Sequence, residues 1–75
     1  MKIKCFGSLT DIIATEIEMK IAAKTVASLI EFLEAQYPLL KGKTYSVAVN
    51  RQIVDKDFPI QETDEIALLA PFSGG

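Results

Sequence analysis

Among its 75 residues the chain has no histidine, no tryptophan and a single cysteine. Without histidine, Ser-His-Asp and Cys-His catalytic arrangements and histidine-ligated metal sites are excluded, and no metal is expected. Cys5 has no second thiol with which to close an intrachain bridge, which fits a reducing compartment. No base or helix start is visible beside Cys5 to activate it, so it reads as a buried cysteine on the first strand and not as a nucleophile. There are 4 glycines, and Gly74-Gly75 is their only doublet, so phosphate-binding loops of the GxxxxGKS or GxGxxG type are absent. No apolar run approaches the roughly 18 residues of a membrane span. The segment Met1-Lys2-Ile3-Lys4 enters a strand-like stretch without a signal peptide's apolar block, so a cytoplasmic protein with no membrane partner is expected. Eight basic residues stand against ten acidic ones, for a net charge of -2 and a pI near 4.9. The lysines are scattered, and no basic stripe suggests a nucleic-acid partner.

Hydrophobic residues make up 49% of the chain and charged residues 24%, an ordinary globular balance with room for one thin core. Residues 1–9 alternate, with Ile3 and Cys5 on one face and Lys2, Lys4 and Phe6 on the other. Thr10 is placed to cap one helical turn over 10–14. Alternation resumes over 16–22, with Ile17, Met19 and Ile21 opposite Glu16, Glu18 and Lys20. The link between these two strands is short, so they are expected to be antiparallel neighbours. Thr25 is placed to cap a helix whose apolar face is Val26, Leu29, Ile30, Leu33 and Tyr37, with Glu31 and Glu34 on its wet side and Pro38 stopping it. Residues 39–44 read as a surface loop. From Tyr45 the chain alternates again, with Val47 and Val49 opposite Ser46 and Ala48, and Asn50-Arg51 turns it into a short strand over 52–54. An irregular stretch should tuck Phe58 and Ile60 against the core. A turn at Glu62-Thr63-Asp64 leads into a strand over 65–70, Ile66 and Leu68 inward, Ala67 and Leu69 outward.

Two strands, one helix and two or three further strands describe an α+β roll, with one sheet face covered by the helix and the other open. Phe6, Ala67 and Leu69 would form an apolar patch on the open face, the kind of patch that marks a contact site. A register slip of one residue would instead turn them inward. The acidic pairs Asp55 with Asp57 and Asp64 with Glu65 fall in turns and read as turn-formers. With side chains offering so little chemistry, the main chain remains. Two glycines after a strand make a narrow tail whose carboxylate could be threaded into a partner's active site. Such a carboxylate needs activation, most simply adenylation, before a nucleophile can attack it. The tail alone leaves this reading and that of a frayed end both open.

The order of elements, the Ala48-Val49-Asn50 strand end, the turn Glu62 to Ile66 and the closing Ala70-Pro71-Phe72-Ser73-Gly74-Gly75 resemble the small subunit of molybdopterin synthase, a family of sulfur carriers. The resemblance covers essentially the whole chain. Thr63 and Ala70 depart from it, where the family often has glycine and proline. It implies a ubiquitin-like β-grasp roll, a mixed sheet covered on one face by one main helix, with residues 1–72 as the domain and 73–75 as a flexible tail. It further implies that an adenylating enzyme related to the ubiquitin-activating enzymes converts the Gly75 carboxylate to an acyl-adenylate, which then becomes a thiocarboxylate. Ser73 and Gly74 would belong to the threading tail, and the large catalytic subunit of the synthase would receive it, in an assembly of two small and two large subunits. There the sulfur would pass to cyclic pyranopterin monophosphate to build the dithiolene of molybdopterin. Phe6, Ile53, Leu69 and Phe72 would be the apolar contacts. The chain would be no enzyme on its own and would hold no permanent cofactor, only AMP and sulfur in transit on Gly75. Sister carriers for thiamine thiazole synthesis or tRNA thiolation, a non-reactive β-grasp adaptor, and a lysine-conjugated modifier are the alternatives. The Thr10 to Ala14 turn and the Pro71-Phe72-Ser73 lead-in favour the molybdopterin carrier over the thiamine one.

Overall fold

The computed structural model describes residues 1–70. The sequence-based expectations for Phe72, Ser73, Gly74 and Gly75 lie outside the described residues. Five strands form one sheet: β1 (Lys2–Phe6), β2 (Glu16–Glu18), β3 (Ser46–Val49), β4 (Gln52–Val54) and β5 (Glu65–Leu69). Their order is β2-β1-β5-β3-β4, with β1 and β5 parallel at the centre and every other pair antiparallel. One helix, α1 (Val26–Gln36), supplies the crossover side of the roll.

Strand parity and helical periodicity meet in a single core. Ile3 and Cys5 from β1, Val47 and Val49 from β3, and Ile66 and Leu68 from β5 pack with Val26, Leu29 and Leu33 of α1. Ile3, Leu29, Leu33, Ile66 and Leu68 are fully buried, each contributing on the order of 1.5–3 kcal/mol of transfer free energy. The N-terminus of α1 is closed by the chain itself. Thr25 Oγ1 accepts from the Ser28 amide at 3.2 Å, and the amides of Val26, Ala27 and Leu29 donate to the carbonyls of Phe58, Lys56 and Thr25. The three first-turn amides, of Val26, Ala27 and Ser28, are thus satisfied, and Leu29 makes the first intrahelical bond.

Several elements differ from the sequence-based expectation, each for a local reason. β1 stops at Phe6 because Gly7 turns to φ 70°, and a 3-10 helix over Gly7–Asp11 replaces the turn expected at 10–14. Thr10 does not cap it; its hydroxyl donates back to the Gly7 carbonyl at 3.0 Å. β2 ends at Glu18, not residue 22, because its antiparallel partner runs out: Met19 exchanges its last bonds with Met1. The expected loop at 39–44 is mostly a second 3-10 helix, Pro38–Gly42, which buries Leu40 and leaves Leu39 72% exposed. Ile60 is buried as expected, whereas Phe58 is 37% exposed, since that segment turns its carbonyls, not its ring, toward the helix start. No helix among the described residues is long and apolar enough to cross a membrane.

Candidate functional site

The face of the sheet away from α1 carries the side chains of opposite parity, and they converge. In register, Phe6 of β1 lies beside Leu69 of β5, while Ala48 of β3 lies between Ala67 of β5 and Ile53 of β4. A shallow cleft of about 400 Å3 results, its floor made by the two alanines, its apolar walls by Phe6, Ile53 and Leu69, and its polar rim by Lys4, Glu65 and Arg51. Phe6 is 47% and Ile53 65% exposed. Small residues at the centre create the depression, and the large ones around it leave apolar surface in water that a docking group would cover. The parity expected for Phe6, Ala67 and Leu69 holds, and a register slip is excluded. Ala48, outward as expected, is nevertheless buried because its neighbours overhang it.

Electrostatics at the rim are modest. Lys4 Nζ lies 3.3 Å from Glu65 Oε2 across the central strand pair, an exposed pair worth about 0.2–1 kcal/mol. The β3–β4 turn is more rigidly built. Asn50 and Arg51 both have positive φ, 50° and 72°, the signature of the type I′ hairpin turn. Asn50 Nδ2 donates to Asp64 Oδ1 at 3.0 Å and Asn50 Oδ1 accepts from the Glu65 amide at 3.0 Å, while Asp64 Oδ2 accepts from the Gln61 amide at 2.7 Å. One asparagine thereby ties the β3–β4 turn to the turn that opens β5. β5 then delivers Ala70 beside Gly7, where a Cβ added to the glycine would come 3.1 Å from the Ala70 Cβ. The chain therefore leaves the sheet at the Phe6–Leu69 end of the cleft.

Other sequence candidates fall elsewhere. Cys5 points into the core, and burial pushes its thiol pKa up, away from nucleophilic use. Asp55 accepts from the Asp57 amide at 3.1 Å and is a turn-former. Among the described residues no cluster of carboxylates and the thiol could hold a metal ion. Sequence reasoning named Lys4, Ala48, Glu65 and Arg51 but did not assign them to the open-face patch, where the structure brings them. Lys4 and Ala48 were legible by parity with Phe6, but Arg51 sits in a turn, where parity gives no direction.

Residues 3–75 match the model of the ThiS family. Solved structures share the fold, a mixed five-stranded sheet with one main helix of the ubiquitin-like β-grasp kind. SAMP1 from Haloferax volcanii matches with a TM-score of 0.82 and 21% identity, covering 99% of this chain and 97% of that one. A putative molybdopterin converting factor subunit 1 from Pyrococcus furiosus matches at 0.77 and 23%, covering 95% of each. The complex of subunits 1 and 2 of molybdopterin-converting factor from Helicobacter pylori 26695 contains a chain matching at 0.69 and 26%, covering 99% of this chain and 96% of that one.

Proposed function

Because the chain belongs to the ThiS family, we propose that it is a sulfur carrier whose reacting group is the carboxylate of Gly75 and whose docking surface is the open-face cleft. The observation that carries this reading is the Gly74-Gly75 end of a family chain whose last strand, β5, runs directly along that cleft. The buried Cys5 and the turn-forming Asp55 are not placed for covalent work.

In the proposed cycle a Gly75 carboxylate oxygen attacks the α-phosphorus of ATP on an adenylating enzyme, and pyrophosphate leaves. Sulfide-level sulfur then attacks the acyl carbon, AMP departs, and a thiocarboxylate results. On a large partner subunit that sulfur attacks a side-chain carbon of the pterin precursor, cyclic pyranopterin monophosphate, and a C–O bond of the precursor breaks as the C–S bond forms. The cyclic phosphate ester opens in one round, and the oxygen of the neighbouring carbon leaves as water in the other. Water cleaves the acyl–sulfur bond, the sulfur stays on the pterin and the Gly75 carboxylate is restored. Two such rounds furnish the dithiolene. Phe6, Ile53 and Leu69 would seat both partners in turn, and Phe72, Ser73 and Gly74 would lie between the docked domain and the reacting carboxylate. The Helicobacter pylori neighbour is a complex of subunits 1 and 2, which supports a large-subunit partner here.

The test is ATP–pyrophosphate exchange with the adenylating enzyme of the same organism, followed by intact-mass detection of one sulfur replacing one oxygen. Exchange is expected with the chain ending at Gly75 and lost when one residue is added beyond it. Thiocarboxylate consumed with the pterin precursor and large subunit supports the molybdopterin role. Consumption only by a thiazole synthase or a tRNA-thiolating enzyme would reassign the pathway, and exchange unaffected by the extension would overturn the carrier reading.

A further inference from the structure

Arg51 is a long, exposed cation on the rim of the cleft, and its φ of 72° is a conformation that favours glycine or asparagine. No ion pair of its own among the described residues offsets that cost. The ion pairs among the described residues are Lys2 with Glu16 at 3.9 Å and Lys4 with Glu65 at 3.3 Å, and neither includes Arg51. Glu65, the acid on the cleft rim, is already taken by Lys4. The turn itself is rigid, because Asn50 is bonded through both ends of its amide to the Asp64–Glu65 segment. Among the described residues Arg51 is thus a cation without an ion-pair partner, held by a fixed turn, two positions from Ile53 and its exposed apolar side chain.

We propose that Arg51 is a specificity-determining residue of this face, receiving a carboxylate of the docking protein next to the apolar group that fills the cleft. The inference rests on the carrier reading, since it takes the open face as the docking surface. A guanidinium presents two parallel donors that match a carboxylate, and covering the cleft removes the water that would otherwise weaken the pair. The complementary surface is therefore apolar at its centre with an Asp or Glu at one edge, and an isosteric amide there would be discriminated against. A polyanion does not suit the same cation, because the chain carries a net charge of -2 with its lysines dispersed.

The test measures association rate and affinity of the full chain for the large subunit and for the adenylating enzyme of the same organism, over a series of salt concentrations. Arg51→Gly and Arg51→Gln are expected to bind at least one of them about tenfold more weakly and with a flatter salt dependence. Arg51→Lys should recover the salt dependence and only part of the affinity. Arg51→Gly should melt no lower than the wild type, because glycine suits the positive φ. Wild-type-like binding by Arg51→Gly, which removes the guanidinium while relieving the backbone, would overturn the inference. Failure of the wild-type chain to bind either protein would instead overturn the docking reading, and this inference with it.

Discussion

Cys5 and Phe6 are adjacent in sequence, yet one is sealed in the core and the other stands half in water on the open face. Alternation alone separates them, which is why both were legible before any coordinates. Tyr45 was not legible in this way. Its hydroxyl donates to Glu34 Oε2 at 3.3 Å, and burial first, then the Glu34 charge and that bond, push its pKa from 10.0 to about 12. Glu34, expected on the wet side of α1, is accordingly half-covered. Because the folded value lies above the unfolded one, the associated stability is complete below pH 10 and is lost as pH rises toward about 12. Ultraviolet titration should show a tyrosinate band growing in late, and Tyr45→Phe should remove that step and flatten the alkaline fall in stability. A normal titration of both tyrosines would refute the burial argument.

At the scale of elements, long-range pairing decided what sequence patterning could not. The alternation over 16–22 is genuine, and Ile21 is buried, yet β2 has only three residues because the antiparallel partner ends at Met1. The first 3-10 helix was expected as a helical turn three residues too late and the second was missed, because a single turn of that kind leaves no periodicity to read. The helix and its Thr25 cap, by contrast, are local and were readable. The β3–β4 turn was placed at Asn50-Arg51, but its bridging to the Asp64 turn joins residues 14 and 15 positions apart, beyond the reach of local pattern. This bridge yields a prediction. Asn50→Ala forfeits both side-chain bonds and puts a Cβ-bearing residue without local bonding at positive φ, at a cost of about 1–3 kcal/mol. Denaturant unfolding should record it as a lower midpoint with an unchanged slope. Asn50→Gly, which suits the backbone but lacks the bonds, should fall between that variant and the wild type.

For the molecule as a whole, the split between core and open face is also a division of labour under the carrier proposal. Among the described residues, the buried hydrophobic ones run from Met1 to Leu68. Deleting Gly75 is therefore expected to leave folding and partner affinity in place while abolishing sulfur transfer. Calorimetry, binding and a transfer assay on the same preparation check the three parts together, and retained transfer would favour an adaptor. The α+β roll and its open face were readable from parity and element order, and the β-grasp kind from the family resemblance. The rim of the cleft was only partly readable, since Lys4 follows from parity with Phe6 but Glu65 and Arg51 come from a second strand and a turn, whose place beside it only the sheet order fixes.

The central position of β5 has a mechanical meaning. A load applied at Leu69 along β5 falls on a strand bonded on one side to β1 in parallel and on the other to β3. Both ladders run across that direction, so they bear the load together as shear and cannot open one bond at a time. A force along the last strand is thus met without the sheet unzipping.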